Sequence, residues 1–269
     1  MALNGNGGDE LFMGYPTFPA HKTARLAEKV PSALRRSLLK PLVQALPVSE
    51  NNWSFDFKLK RFLAGLDLPA FARHFAWIGG THPHDQDALL EPSVYAAAAP
   101  NPLDDVDRLL LGWNSNDELD KLTYLYARLY LAEGVLQKVD RATMSYALEC
   151  RLFLLAPNVV NCAMAIPSHL KIHKNQSKWI LREALKKRLP QSILERPKKG
   201  FGIPLTSWLK GPLLPLCKEI LTDPSLRTQA LFKKESCEKL INEHVNGWRD
   251  HRKTLWALMV YQLWEQGRP

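Results

Sequence analysis

Apolar positions recur at helical intervals through nearly the whole chain beyond residue 16, and strand-like alternation is almost absent. The stripe is strongest from Asp117 to about Leu148, where Leu119, Leu122, Leu125, Leu129, Leu131, Val135 and Leu136 predict a buried central helix pair broken at Gly134. Ser177 to Leu189 reads as a second amphipathic helix, stopped by Pro190. Lys233 to Gln266 holds two more, with Trp256, Leu258, Met259, Tyr261 and Leu263 crowding one side. Pro31 and Pro41 divide residues 19–46 into two or three short helices, because proline has no N–H to donate inside a helix. A helix capped near Ser54 runs to Leu66, and another starts at Asp67, with Pro69 in its first turn and Gly79-Gly80 as its stop. His82-Pro83-His84-Asp85 is a turn, and a fresh helix starts at Asp85. The fold class is therefore mainly α, with at most a strand remnant at Ala2 and Leu3.

Composition narrows the function classes. A hydrophobic content of 46% over 269 residues is ample for a buried core. No apolar run reaches the length of a bilayer span, and the start lacks the basic and apolar segments of a signal peptide, so a cytoplasmic protein without a membrane partner is expected. Cys150, Cys162, Cys217 and Cys237 are widely spaced, as buried free thiols in a reducing compartment would be. The net charge of +9 suits a polyanionic ligand such as ATP. No recognition motif accompanies the basic runs, so nucleic acid is not an expected partner.

Candidate chemistry sits at the start. In Asn4-Gly5-Asn6-Gly7-Gly8-Asp9-Glu10-Leu11-Phe12 the glycines permit a tight turn whose N–H groups approach an anion. The carboxylates that follow are of the kind that holds a magnesium ion bridging phosphate oxygens. The structural alternative, less favoured but compatible with metal binding, is that Asp9 caps a helix beginning near Glu10.

Four stretches together resemble the synthetase domain of the asparagine synthetase family: Asn4 to Tyr15; Lys138-Val139-Asp140-Arg141-Ala142-Thr143-Met144 with Leu148-Glu149-Cys150-Arg151; Lys178-Trp179-Ile180-Leu181-Arg182-Glu183-Ala184; and Arg196-Pro197-Lys198-Lys199-Gly200-Phe201-Gly202-Ile203-Pro204. The resemblance covers residues 1–269. It implies the helical C-terminal portion of a Rossmann-like ATP-pyrophosphatase domain. The implied reaction is adenylation of the aspartate β-carboxylate by ATP, followed by amidation with ammonia from glutamine, releasing AMP and pyrophosphate. It also implies that Asp9 ligates Mg2+, that Asn4, Gly5, Gly7, Gly8 and Glu10 bind nucleotide or substrate, and that Lys198 contacts pyrophosphate and the adenylate as a catalytic residue. The Arg-Pro-Lys register favours Lys198 over Lys199. A homodimer is compatible with this reading.

Departures from the family pattern matter as well. Asn6 stands where the family has Asp or Glu; at this catalytic position an amide cannot accept a proton. After Arg151 the family's proline and aspartate are replaced within Leu152-Phe153-Leu154-Leu155-Ala156, and that aspartate normally anchors the next helix. Asp140, Arg141, Glu149 and Arg151 are expected to form a buried ion-pair network that orders the helices. An S-G-G-x-D-S pyrophosphate loop and a glutaminase cysteine are both missing from these residues, so the N-terminal glutaminase and the loop region are expected from the rest of a longer protein, with Met1 a truncated or mis-assigned start. The chain alone is expected to be inactive. The alternatives are an amide- or lactam-forming relative acting on another carboxylate, and a non-catalytic helical partner.

Overall fold

Residues Ala2–Asn4 form strand β1, which pairs in parallel with β2, Cys150–Leu152, in the register Ala2↔Cys150, Leu3↔Arg151 and Asn4↔Leu152. A parallel pair needs a long crossover, and here the helices between the two strands supply it. The computed structural model describes residues 1–51, 54–82, 85–97, 104–196, 200, 202–223 and 231–267. Two compact units emerge: Met1–Arg25 with Asp104–Lys199, and Leu26–Leu103 with Gly200–Pro269. The mainly α expectation holds. The second strand and a small hairpin, β3 (Ile172–His173) with β4 (Gln176–Ser177), were not legible in the pattern.

In the first unit the strongest stripe becomes one uninterrupted helical run, Glu118–Leu125, Tyr126–Leu136 and Gln137–Met144, with the middle segment in the wider π form. Asp117 starts it by accepting the Leu119 N–H at 2.8 Å. The predicted break at Gly134 does not occur: an interior glycine costs a helix only about 1 kcal/mol and does not by itself stop it. Burial is confined to the front half, at Leu119, Leu122, Thr123, Leu125, Tyr126 and Leu131, and Gln137–Met144 buries nothing. A core of Leu11, Phe12 and Ala163, joined by Leu155, Val160, Ile180 and Leu181, holds the turn after β1 against the helices Pro157–Ala165 and Trp179–Leu185. The amphipathic helix expected from Ser177 starts only at Trp179, because Lys174 and Asn175, at φ 45° and 65°, turn the preceding hairpin and commit Ser177 to β4.

The expected buried ion-pair network is also corrected. Asp140, Arg141, Glu149 and Arg151 are all exposed, and Arg151 pairs with its neighbour Glu149, at 2.6 Å. The buried charges of this unit lie elsewhere. Lys171 is fully buried, its Nζ lacks a hydrogen-bond partner, and it stands 4.0 Å from Asp120 Oδ1. Burial lowers the Lys171 pKa and raises that of Asp120, outweighing their mutual attraction on both sides.

In the second unit, Leu205, Leu209, Cys217, Ile220, Leu221, Cys237, Ile241, Leu255, Leu258 and Met259 form the core. The last helix, Arg252–Gln266, buries Arg252, Leu255, Leu258, Met259 and Gln262. Those positions follow the helical period; Trp256 and Leu263, expected on the same side, fall on the other and are exposed. Ser54 occupies the N-cap of Phe55–Gly65 as expected. The next helix begins at Ala72 rather than Asp67, whose carboxylate instead accepts Arg36 Nε at 3.3 Å. Of the cysteines, Cys217 and Cys237 are buried, while Cys162 is exposed.

Candidate functional site

The turn after β1 is built by backbone geometry. Asn4 Oδ1 accepts the Asn6 N–H at 3.0 Å, and Gly7 takes φ 94° as the N-cap of a one-turn helix, Gly8–Leu11. At Gly7 a Cβ would fall 2.4 Å from Leu155 Cδ2, so glycine is required there for packing and for conformation. At Gly8 the added atom would meet Leu154 Cδ1 at 2.9 Å, whereas at Gly5 it would make only an ordinary contact with Phe153 Cζ at 4.0 Å. Met13, at φ 55°, turns the chain back, and the Gly14 N–H reaches Asp9 O at 2.7 Å. Asp9 lies inside the first turn of the short helix rather than at its cap.

The two carboxylates go to different partners. Asp9 Oδ1 is 2.8 Å from Lys178 Nζ, in a half-buried ion pair. Glu10 is buried and accepts the Tyr15 hydroxyl at 2.6 Å. Burial, reinforced by Glu10, pushes the Tyr15 pKa well above the ordinary phenol range and keeps it a donor. Tyr15 stacks on Tyr126 at 5.6 Å and meets the Tyr130 edge at 5.4 Å, so Glu10 anchors the turn to the long helix.

Lys178 is the residue that sequence reading passed over. It has φ 57°, donates its N–H to Phe12 O at 3.2 Å and opens the helix Trp179–Leu185. Its amine reaches Asp9 through a gap that only glycine leaves: a Cβ at Gly14 would lie 2.1 Å from Asp9 Oδ1 and 2.2 Å from Lys178 Cε. The available signal was its place at the head of the Lys178–Ala184 stretch. Gly14, Lys178, Arg182 and Arg196 line one cavity of about 730 Å3, floored by Leu181, Leu185, Leu189 and Ile193. The Arg-Pro-Lys segment thus starts beside the glycine turn, while the position assigned to Lys198 lies outside the described residues.

The donor set suits a metal held by a single protein carboxylate. Among the described residues no group of three or more His, Cys, Asp or Glu side chains could hold a metal ion. Magnesium bound through phosphates commonly takes one or two carboxylates and completes its shell with phosphate and water, a role open to Asp9. No helix among the described residues is long and apolar enough to cross a membrane.

Comparison with known proteins agrees with the motif resemblance. The family model described as asparagine synthase matches residues 1–266. A putative glutamine-hydrolysing asparagine synthetase of Mycobacterium bovis is 28% identical over 269 residues, covering 98% of this chain and 39% of the relative. Glutamine-hydrolysing asparagine synthetase 1 of Bacillus subtilis is 26% identical over 264 residues, covering 98% of this chain and 40% of the relative. The chain therefore spans about two-fifths of the length of these curated relatives. No solved structure gives a significant match.

Proposed function

Because the chain belongs to the asparagine synthase family, we propose that it forms the C-terminal part of an ATP-dependent carbon–nitrogen ligase of the cytoplasm. The proposed reaction adenylates the β-carboxylate of aspartate at the α-phosphate of ATP, releasing pyrophosphate, and ammonia derived from glutamine then displaces AMP. Adenylation is needed because a free carboxylate has no good leaving group. The observation that carries the reading is the Asp9–Lys178 pair at 2.8 Å on the glycine turn, beside the cavity that Arg196 also lines.

Asp9 would hold Mg2+, which when bound neutralises charge on the phosphate oxygens. Lys178 orients the Asp9 carboxylate before nucleotide arrives, and offers its own charge to the pyrophosphate. Glu10 acts through Tyr15 as an anchor of the turn rather than on substrate. Gly7 and Gly8, packed against Leu155 and Leu154, set the direction of the short helix, while Gly5, Asn4 and Asn6 present the open side of the turn to ligand. Lys198 remains the proposed catalytic lysine.

The test is pyrophosphate release from ATP with magnesium, aspartate and ammonia. The chain alone should be silent, and joining it to a family N-terminal region that carries an S-G-G-x-D-S loop should start turnover that Asp9→Ala abolishes. Turnover by the isolated chain, or a joined protein indifferent to Asp9→Ala, would refute the assignment. A second reading, amidation or lactam formation on a less polar carboxylate, is favoured by the leucine-floored cavity and by Asn6. Assaying the joined protein with varied acids separates the two.

A further inference from the structure

The second unit contains a cavity of about 240 Å3, framed by residues of the helices Lys40–Gln44 and Phe55–Gly65, the end of Ala72–Ile78 and the segment leading into Arg252–Gln266. Its charges do not balance. Of the three carboxylates on its wall, Asp250 is taken up by Arg252, whose Nε lies 2.5 Å from Oδ2. Asp56 accepts the Ser49 N–H at 3.3 Å and lies 3.9 Å from Lys60, whose amine donates to Leu46 O at 2.7 Å. Of the three, only Asp85 is left without an ion pair among the described residues. His251 is occupied by Glu243 at 2.6 Å, and His82 meets Ala64 O at 3.1 Å.

The cations are in surplus. Arg61, on the wall, spends its guanidinium on the carbonyls of Ala76, Trp77 and Gly79, and behind it Lys253 bonds to Ile78 O at 2.9 Å. These carbonyls terminate the helix Ala72–Ile78, so both side chains cap it. Neither cation, nor Arg249 at the rim, forms an ion pair with a carboxylate among the described residues. Arg61 also lies over the Phe57 ring, 5.6 Å from its centroid, and half-buried cations that meet carbonyl dipoles and a ring but no carboxylate leave a positive potential in the space they face. Burial draws Arg61 down to about 10; burial, with the repulsion of Arg61 and Arg252 outweighing the attraction of Asp250, draws Lys253 down to about 7. The exposed Trp248 at the mouth offers a flat apolar surface beside these charges, while the Phe57 ring on the wall is already met by Arg252 at 5.0 Å.

We infer that this cavity is a binding site for a small organic anion, with a phosphate or carboxylate head held by Arg249 in the field of Arg61, and a planar or apolar body against Trp248. The site lies wholly within the second unit and does not use Asp9, Lys178 or the proposed reaction.

Titration calorimetry of the full chain with phenyl phosphate at low ionic strength tests it. The expected result is saturable binding of one equivalent, competed by inorganic phosphate and weakened about tenfold or more by Arg249→Ala, an exposed position whose replacement should leave the far-UV circular dichroism intact. Binding should take up a fraction of a proton near neutral pH, because the anion offsets the repulsion that depresses Lys253; the heat then varies with the ionisation enthalpy of the buffer. Lys178→Ala should leave this binding unchanged. No saturable binding, binding indifferent to Arg249→Ala, or binding lost in Lys178→Ala would overturn the inference, the last by placing the ligand at the other site.

Discussion

Lys171 and Asp120 give the sharpest energetic prediction. The amine is fully buried, 4.0 Å from a carboxylate that is 23% exposed, and neither of the two facing atoms has a hydrogen-bond partner. At that separation, with an effective dielectric constant of about 20, the attraction is about 4 kcal/mol, comparable with the desolvation cost of several kcal/mol per ion. The pair is therefore close to neutral as a whole and costly to break in half. Lys171→Met should destabilise the fold by about 3 kcal/mol near pH 7, because it strands Asp120 beside Asp117. Lys171→Met with Asp120→Leu should return to within about 1 kcal/mol of the parent, a coupling resolved by a double-mutant cycle. The sign with pH follows from the raised pKa of Asp120. The folded state then holds that proton more tightly than the unfolded chain, so stability falls as pH rises through the folded value. Without Lys171 the elevation grows, and the deficit of the single variant should shrink from about pH 7 to about pH 5. Urea unfolding followed by circular dichroism, compared at unchanged slope, measures all of this. A single variant within about 0.5 kcal/mol of the parent, or a double variant as poor as the sum of the singles, would refute the balance argued here.

Four further outcomes follow. Gly14→Ala drives a Cβ into Asp9 and Lys178 and should cost about 1–3 kcal/mol in urea unfolding, as overpacking does, while Gly134→Ala, with open space around it, should be neutral or slightly stabilising. Tyr15→Phe leaves the buried Glu10 without its donor and should cost about 1–3 kcal/mol by the same assay. Ala156→Asp should add about 1 kcal/mol, since Ala156 is the N-cap of Pro157–Ala165 and supplies no side-chain bond there. In thiol labelling of the folded chain near pH 8, Cys162 should react first, and Cys217 and Cys237, both pushed up to about 11 by burial, only on unfolding.

Much of the helical body was readable because each helix has to bury one stripe, and the stripe repeats in the sequence. The helices Phe55–Gly65 and Lys234–Val245 lie where the pattern put them. Errors came where another contact claimed a residue. Asp67 is drawn to Arg36 instead of capping, and Ser177 is committed to a hairpin by two left-handed residues. Strand β2 escaped notice because its three residues are too few to alternate and its partner is nearly 150 positions away in sequence. The exposure of Asp140 and Arg141 was unreadable for a related reason: a charge in a motif looks the same whether it is buried or solvated.

The site itself divides along the same line. A glycine-rich turn ending in carboxylates announces a place where backbone must come close to something, and Gly7 at φ 94° meets that need. What comes close is decided by side chains distant in sequence. Glu10, alike in the motif to Asp9, is turned inward by Tyr15, whose stacking on Tyr126 fixes the hydroxyl before any ligand is present. Asp9 is left facing Lys178, and the space in which they meet exists only because residue 14 has no Cβ. The glycine at position 14 is thus accounted for by an ion pair rather than by a turn. A larger residue there would separate the carboxylate from the lysine and, on the function proposed above, leave the opening glycines with nothing charged to present to a phosphate.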